Sequence, residues 1–308
     1  MENLGKKVTV RNIDGIELEG YYNKQNSSTC IYFVPGFSEE ISNVNLALQQ
    51  KAFDEKISFL TGFTNDYKII NRLNKYDSDG KLVGSILRGA TYARFEDFHK
   101  DIDAWFKFLQ QEGYEKIILV GYCFGCAKAI EYFDKYSPKN VIELILIAPQ
   151  DVTRIKVLDK HKGMMEDAGE NIVNNKPLKL LGSKFLGYCD VSSRTFMSFC
   201  VYKAIHNTAY HNKNPDFQAI KKIDVPTLLI IGDKDKGVIT NDSESSEDLA
   251  LPCMQKIGDN IKKSSISIIK GAKHSFTDKE EELSDEIFKF IKQNDLSIKN
   301  DKDKTLDF

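Results

Sequence analysis

The chain has 308 residues, of which 41% are hydrophobic and 29% are charged, and its formal net charge is −2. These values are typical of a globular protein, and they exclude the strongly basic surface that nucleic acid or an anionic membrane would need. No apolar run approaches the roughly 18 residues of a membrane span, and the N-terminus lacks an apolar signal core. We therefore expect a cytoplasmic protein. Its six cysteines show no disulfide pattern.

The first part of the chain combines short apolar runs with one helical pattern. Two runs joined by Asn12-Ile13-Asp14-Gly15 predict an antiparallel hairpin. A buried strand then ends at Pro35-Gly36-Phe37-Ser38. Between 64 and 92, two weaker strand-like runs flank the turn Asp77-Ser78-Asp79-Gly80. The predicted strands are 8–11, 17–22, 29–34, 57–60, 67–72 and 82–87, and the predicted helix is 46–55.

The second part begins with an amphipathic helix over 95–111, in which apolar residues recur at helical spacing. Four apolar runs then predict buried strands, and a further helix closes the fold. The strands are 116–120, 141–148, 225–231 and 266–269, and the closing helix is 276–292. Residues 295–308 are charged and offer little to bury, which predicts disorder.

Strands that alternate with helices at these intervals predict an α/β fold with a mainly parallel central sheet flanked by helices. The residues between 151 and 222 do not continue the alternation and predict a mostly helical cap insertion. We thus divide the chain into a first core part (1–150), the cap insertion (151–222), a second core part (223–293) and a charged tail (294–308). The cap is expected to lie over the carboxyl edge of the sheet, where reactive groups gather.

The stretch around Cys123 predicts a nucleophile elbow. A buried strand runs directly into a helical pattern, and Gly121 and Gly125 stand two residues before and two after the cysteine. Such a corner needs a strained backbone, and the glycines remove side chains that would collide there. The sulfur is then placed at the start of a helix, where the dipole favours a thiolate.

Cys123 could also be a buried filler residue, half of a redox pair or a zinc ligand. A buried cysteine often serves only as a small apolar filler. Cys123 and Cys126 have the spacing of a redox pair, but about 120 residues precede them, whereas such pairs belong near the start of a small domain. A zinc site needs a second pair of ligands, and the other cysteines are scattered singly. We therefore expect neither metal nor cofactor.

A thiol nucleophile needs a base and an orienting acid. His274 lies in the loop between the last predicted strand and the last helix, where this type of site places its general base. Asp233 and Asp235 both follow the strand 225–231, and we favour Asp235 as the acid because it lies further into the loop. Asp233 is then expected to brace the turn, and Asp151 is a third candidate.

Acyl transfer also needs donors for a developing oxyanion. Phe124 follows the nucleophile, so its backbone N–H is one predicted donor. Gly36 lets the chain approach closely, so the backbone N–H of Phe37 is the other. A bland alternative is that Pro35-Gly36 simply forms a turn, which is compatible with either interpretation.

Along the chain these motifs occur in the order oxyanion loop, nucleophile, acid and histidine. Together they resemble the α/β-hydrolase superfamily over residues 29–292, apart from the predicted cap. The stretch Gly121-Tyr122-Cys123-Phe124-Gly125 is similar to the elbow of dienelactone hydrolases, G-Y-C-x-G-G, with Cys126 in place of the second glycine. Polyester synthases also carry cysteine at this corner. The predicted cap and the long 64–92 segment depart from dienelactone hydrolases, so the resemblance implies the triad and does not by itself fix the substrate.

The sequence predicts a hydrolase that acts on an ester, lactone or thioester. Cys123, His274 and Asp235 would form its triad, Phe37 and Phe124 its oxyanion hole, and a thioester its covalent intermediate. The expected partner is a small acyl substrate, with no nucleic acid or membrane involved. Two alternatives are an acyltransferase that uses the same triad and a non-catalytic protein that holds a ligand beneath the cap.

Overall fold

The computed structural model describes residues 5–153, 159–187, 189–240 and 243–304. An eight-stranded sheet in the order β1-β2-β4-β3-β7-β8-β9-β10 forms its centre, and β5 and β6 form a separate antiparallel pair. The strands are β1 (Lys6–Arg11), β2 (Glu17–Asn23), β3 (Thr29–Val34), β4 (Ser58–Gly62), β5 (Asn71–Tyr76), β6 (Leu82–Arg88), β7 (Lys116–Tyr122), β8 (Val141–Ile147), β9 (Thr227–Gly232) and β10 (Ser264–Ile269).

Six neighbouring strands of the central sheet are parallel, and only β1 and β2 introduce antiparallel pairs. The central strands β7, β8 and β9 are apolar runs with nearly every residue buried, as expected for strands covered on both faces. The α/β-hydrolase fold predicted from the sequence, with its mainly parallel sheet, is therefore confirmed. Its parallel strands all end at one edge, which is where the candidate site lies.

Seven α-helices accompany the sheet in the described part of the chain. They are α1 (Asn43–Asp54), α2 (Phe98–Gln111), α3 (Gly125–Tyr136), α4 (Asp159–Val173), α5 (Ser193–Val201), α6 (Ser246–Gly258) and α7 (Glu280–Lys304). Helix α1 packs against α7, and α2 packs against α3. The stripe of α2 that contains Ile102, Trp105 and Leu109 is fully buried, which explains its strong periodicity in the sequence.

The structure corrects two sequence predictions. The strand predicted over 67–72 begins only at Asn71, because Lys68 has a positive φ of 66° and the backbone turns there. The closing helix begins at Glu280 instead of 276, because Phe276 and Asp278 have positive φ values of 52° and 64°. It continues to Lys304, over residues for which the sequence predicts disorder, and this stretch has no Gly or Pro to end a helix. Residues 305–308 lie outside the described part.

The connection between β8 and β9 contains α4 and α5 together with short 3₁₀ turns. Its buried apolar residues, among them Met164, Phe185 and Phe199, share one cluster with Phe37 and Phe124. The connection therefore packs directly over the end of the sheet that carries Cys123. Helix α6, which the sequence did not predict, contains Pro252 in its interior.

Within the described ranges, no helix is both long enough and apolar enough to span a bilayer.

Candidate active site

The chain makes a sharp corner at Cys123, between β7 and α3. Cys123 has a φ of 54°, a left-handed conformation that is uncommon for a residue with a side chain. The backbone N–H of Cys123 donates to the Ile147 oxygen at 2.9 Å, and its own oxygen accepts from the Cys126 N–H at 3.2 Å. These bonds anchor the corner to β8 and to the first turn of α3. The strained residue is therefore held on both sides.

The two glycines of the elbow are required by close backbone contacts. A Cβ at Gly121 would lie 2.7 Å from the Gly125 oxygen, and one at Gly125 would lie 2.1 Å from the Val34 oxygen. Both distances are shorter than any real contact of a Cβ atom. The backbone of the elbow thus packs directly against the end of β3, where the loop of Pro35 and Gly36 begins.

His274 lies between a carboxylate and the thiol. Its Nδ1 is 2.8 Å from Asp235 Oδ2, and its imidazole lies close enough to the Cys123 thiol for the two groups to interact electrostatically. Asp235 is almost completely buried, and its Oδ1 accepts from the Gly237 N–H at 2.7 Å. The structure thus brings together the three residues singled out in the sequence as nucleophile, base and acid.

The other two candidate acids have different partners. Asp233 Oδ1 accepts from the Gly271 N–H at 2.6 Å and so ties the loop after β9 to the loop that carries His274. Asp151 Oδ2 accepts from the backbone N–H of His211 and lies 2.9 Å from its Nδ1. Neither carboxylate contacts His274. In the described part of the chain, only Asp235 therefore has the geometry of an orienting acid.

The electrostatics of His274 favour its protonated form. Burial by itself lowers the pKa of this imidazole. The charge of a Cys123 thiolate acts in the opposite direction, as do the hydrogen bonds to Asp235 and Cys123. Together they outweigh burial and raise the pKa of His274 well above its ordinary value. The arrangement therefore favours an imidazolium beside Cys123.

The two predicted oxyanion donors lie next to each other. The rings of Phe37 and Phe124 pack edge to face with their centroids 6.2 Å apart. A Cβ at Gly36 would lie 3.1 Å from the Cβ of Cys123, so the loop of Phe37 passes directly beside the elbow. This close approach is what an oxyanion hole shared between the two segments requires.

A buried lysine supports this loop, and the sequence analysis missed it. Lys128, in the second turn of α3, is 0% exposed and pairs with Asp66 Oδ2 at 2.8 Å. Its Nζ also donates to the Thr64 hydroxyl at 2.9 Å, to the Pro35 oxygen at 3.2 Å and to the Gly36 oxygen at 3.4 Å. The helical periodicity of the sequence predicts that Lys128 faces the interior. It does not predict which residues the buried ammonium group contacts.

Three further residues around the triad were not predicted. Gln150 Nε2 lies 3.3 Å from Asp235 Oδ2 and 3.2 Å from His274 Nδ1. Tyr122 donates its hydroxyl to the His274 backbone oxygen at 2.9 Å and stacks on the imidazole. Glu39 accepts from the Gly36 N–H at 2.6 Å, and burial raises the pKa of its carboxyl. In the sequence, the only feature that could have indicated Gln150 as a site residue is its position shortly after β8, at the edge of the sheet that carries the site.

The second cysteine of the elbow is structural. The Cys126 thiol is fully buried and donates to the Gly121 oxygen at 3.2 Å and to the Ile147 oxygen at 3.3 Å. Burial raises the pKa of Cys126 well above its ordinary value. Cys123, by contrast, is partly exposed. In the ranges that the structure describes, no three His, Cys, Asp or Glu side chains are grouped to hold a metal ion.

Aromatic rings surround the nucleophile on the side of the β8–β9 connection. We call this group the aromatic cluster, and Cys123 packs against it. Rings in the cluster meet mainly edge to face, with Phe185 and Phe199 reaching down from the connection. The cluster consists of Phe37, Phe95, Phe98, Phe124, Phe185 and Phe199.

The strand order, the strained elbow and a histidine–carboxylate pair at the carboxyl edge define an α/β-hydrolase-fold protein. The sequence model of this family, alpha/beta hydrolase fold, matches residues 56–260, and the chain belongs to the family. None of the curated protein sequences matches the chain.

Solved structures with the same fold cover nearly the whole chain. Alpha/beta hydrolase GrgF from Penicillium sp. sh18 has a TM-score of 0.66 and 15% identity, covering 94% of this chain and 98% of its own. Est1E from Butyrivibrio proteoclasticus has a TM-score of 0.58 and 14% identity, with coverages of 94% and 98%. The esterase EaEST from Exiguobacterium antarcticum has a TM-score of 0.55 and 15% identity, with coverages of 92% and 99%. At these identities the likeness is one of fold.

Proposed function

We propose that the protein is a hydrolase that cleaves a carboxylic ester or thioester through a covalent thioester on Cys123. The observation that carries this proposal is the position of His274, which lies beside the Cys123 thiol with its Nδ1 2.8 Å from Asp235 Oδ2. A ligand-binding protein would need neither the base nor its acid. The elbow, which resembles that of dienelactone hydrolases, further supports cysteine as the nucleophile.

In the first half-reaction, the Cys123 thiolate attacks the acyl carbonyl carbon and a C–S bond forms. The carbonyl electron pair moves onto oxygen, which accepts from the N–H groups of Phe37 and Phe124. When this intermediate collapses, the bond to the leaving alkoxide or thiolate breaks. The leaving group takes the proton of the His274 imidazolium and departs as an alcohol or thiol.

In the second half-reaction, neutral His274 takes a proton from water, and the hydroxide oxygen attacks the thioester carbon. The new intermediate expels the Cys123 thiolate and releases a carboxylic acid. The imidazolium and the thiolate are then restored, so the cycle consumes one water for each ester cleaved. Asp235 keeps Nδ1 occupied so that Nε2 faces the reacting groups throughout.

The aromatic cluster favours a substrate with an apolar acyl group. Its rings pack against Cys123, so the acyl chain would lie among them, whereas a charged acyl group would lose hydration there without a partner. Est1E has been solved with ferulic acid bound, a ligand that is likewise aromatic. We therefore propose small apolar or aromatic acyl esters and thioesters as the substrate class.

The test is a panel of nitrophenyl esters and acyl thioesters with parent protein and Cys123→Ala. Turnover by the parent, its loss in the variant and an acyl mass increase on the peptide of Cys123 are expected. Turnover that survives in Cys123→Ala would refute the cysteine nucleophile. An intact, unmodified ligand retained without turnover would instead identify a binding protein, and predominant transfer to an added alcohol or thiol would identify a transferase.

A further inference from the structure

Arginine is rare in this chain, and most of it gathers around one cavity. The six arginines are Arg11, Arg72, Arg88, Arg94, Arg154 and Arg194. Four of them, Arg72, Arg88, Arg94 and Arg194, line a surface cavity of about 720 Å³, and Lys75 and Lys100 lie beside them. Lysine accounts for nearly all other positive charge of the protein, so the clustering is not a matter of composition.

The cavity lies where three parts of the fold meet, on residues that the active site does not use. The β5–β6 hairpin contributes Arg72 and Arg88, the segment leading into α2 contributes Arg94, and the first turn of α5 contributes Arg194. These positions are spread over more than a hundred residues of sequence. A positive charge in the first turn of a helix is also unfavourable, because the N-terminal end of the helix dipole is itself positive.

Two of the cavity's cations already have carboxylate partners. Arg94 pairs with Glu96 at 2.9 Å and with Asp97 at 3.3 Å. Lys100 pairs with Asp14 at 2.7 Å and with Asp97 at 3.0 Å. The lining carboxylates Asp14 and Asp97 are therefore occupied by these two cations.

The remaining cations of the cavity lack such partners among the residues described. Arg88 donates to the Leu87 oxygen at 3.0 Å and Arg72 to the Ser85 hydroxyl at 3.3 Å, while no ion pair is formed by Arg72, Lys75, Arg88 or Arg194. Four positive charges thus face one cavity without an ion pair. Asp97 and Asp101 near Arg88, and Glu96 and Asp97 near Arg194, offset only part of their charge, so the cavity favours the entry of an anion.

The lack of an ion pair is most costly in free energy at Arg88, because this side chain is buried. The residue is only 7% exposed, and its buried Nε has no hydrogen-bond partner, which is also true of the buried Nε of Arg194. Burial and the neighbouring charges of Arg194 and Arg94 lower the pKa of Arg88, and Asp97 and Asp101 offset this only in part. The one hydrogen bond of this guanidinium, to the Leu87 oxygen, leaves its other donors unused, and a bound anion with several oxygens would supply further acceptors.

We propose that this cavity is a binding site for a small phosphorylated molecule, whose phosphate group is held by Arg88 and Arg194. Arginine presents a planar fork of donors that matches the oxygens of phosphate, and a dianion suits four cations without ion pairs better than a single carboxylate does. The cavity has room for an organic part beyond the phosphate. The recessed position of Arg88 suits a small ligand, since a flat membrane or a duplex would meet mainly the exposed Arg72 and Lys75. This inference is independent of the proposed triad.

The test is isothermal titration of the full chain with pyrophosphate at constant ionic strength, together with thermal unfolding. Micromolar to low-millimolar pyrophosphate avoids the general stabilisation that concentrated phosphate salts give. We expect saturable binding, with Tm raised by about 5 °C at roughly 100-fold the Kd. Arg88→Met and Arg194→Met should each weaken binding by about tenfold or more. Without ligand, Arg88→Met should melt at or above the parent's Tm, because it removes a buried charge that forms no ion pair.

Arg11→Met is the matched control, because the Arg11 guanidinium lies over the Tyr76 ring and does not line the cavity. It should bind pyrophosphate as the parent does. Equal binding by Arg11→Met, Arg88→Met and Arg194→Met, or no saturable binding by the parent, would overturn the proposal. So would co-sedimentation with vesicles of phosphatidylcholine and phosphatidic acid in the absence of any response to soluble pyrophosphate.

Discussion

The ammonium of Lys128 lies 3.4 Å from the carbonyl oxygen of Gly36, at the peptide whose other end is the N–H of Phe37. In a planar trans peptide the C=O and the N–H point in opposite directions. By holding the Gly36 oxygen, Lys128 therefore directs the Phe37 N–H away from itself. A hydrogen bond to the oxygen also polarises the peptide and makes that N–H a stronger donor.

The first prediction tests Lys128 as a positioning residue. Lys128→Met should lower kcat by about 10²- to 10³-fold, the usual effect of losing one oxyanion donor, with little change in KM. Alkylation of Cys123 by iodoacetamide should keep its rate, because this reaction needs the thiolate but no oxyanion hole. Steady-state kinetics and the alkylation rate, measured on the same preparation, separate the two effects.

The matched control removes the destabilisation that the single change brings. Lys128→Met leaves Asp66 buried without its partner, which costs about 3–5 kcal/mol. In the double variant Lys128→Met/Asp66→Asn the charges are again balanced, so the melting temperature should recover while kcat stays low. Recovery of kcat together with stability would show that Lys128 acts only on the fold.

The second prediction concerns the reactivity of the thiols. Cys123 should be alkylated first, because it is partly exposed and lies beside an imidazole whose pKa is raised. Burial raises the pKa of Cys30 and Cys126 well above its ordinary value and that of Cys253 to about 11. Peptide mass spectrometry after partial alkylation checks the order. Faster labelling of the partly exposed Cys200 would contradict it.

The third prediction is that Cys123→Ser lowers turnover by about a hundredfold or more, equivalent to about 3 kcal/mol of barrier. A serine hydroxyl must lose its proton to His274 during attack, whereas the raised pKa of His274 already favours imidazolium beside a thiolate. The kcat/KM of the two proteins on one nitrophenyl ester measures this. Equal activity would mean that the site works as an ordinary serine esterase.

The site residues that could be predicted from the sequence are those whose evidence lies within a short stretch of the chain. Gly121, Cys123 and Gly125 were recognisable because the elbow is defined within five residues. Asp235 and His274 were found because each follows a predicted strand of the parallel sheet, and the ends of these strands must lie at the same edge. The role of Lys128 could not be found, because it arises from contacts with Asp66 and Gly36, which lie 62 and 92 positions away.

The elements of the fold also divide into those that the sequence pattern predicts and those that it does not. The core strands were predictable because their apolar runs are long and buried on both faces. The β5–β6 hairpin is mostly exposed, so no apolar pattern fixed its register, and its first strand was assigned four residues too early. The arginine cavity depends on tertiary neighbours of this hairpin. In the sequence, its four arginines are merely scattered single residues.

The fourth prediction is the pH dependence of turnover. Protonated His274 is needed to release the leaving group, so turnover should be lost as pH rises through the folded-state pKa of this residue. Burial lowers that pKa, but the thiolate of Cys123 and the bond to Asp235 raise it well above the ordinary value, so the alkaline limb should lie well above about pH 6.5. Alkylation of Cys123, which needs no acid, should not fall over the same range. A limb near pH 6.5 would contradict the assignment.

The last prediction separates the two aspartates that follow β9. Asp235→Asn puts an amide where a carboxylate accepts from His274, and the imidazolium then loses its counter-charge. Turnover should fall by about a hundredfold or more, Cys123 should be alkylated more slowly, and the alkaline limb should move to lower pH. Asp233→Asn is the matched control, because an amide oxygen can still accept from the Gly271 N–H. It should leave the reactivity of Cys123 near that of the parent, even where the melting temperature shifts. If Asp233→Asn abolished this reactivity and Asp235→Asn spared it, the orienting acid would have to be placed two residues upstream.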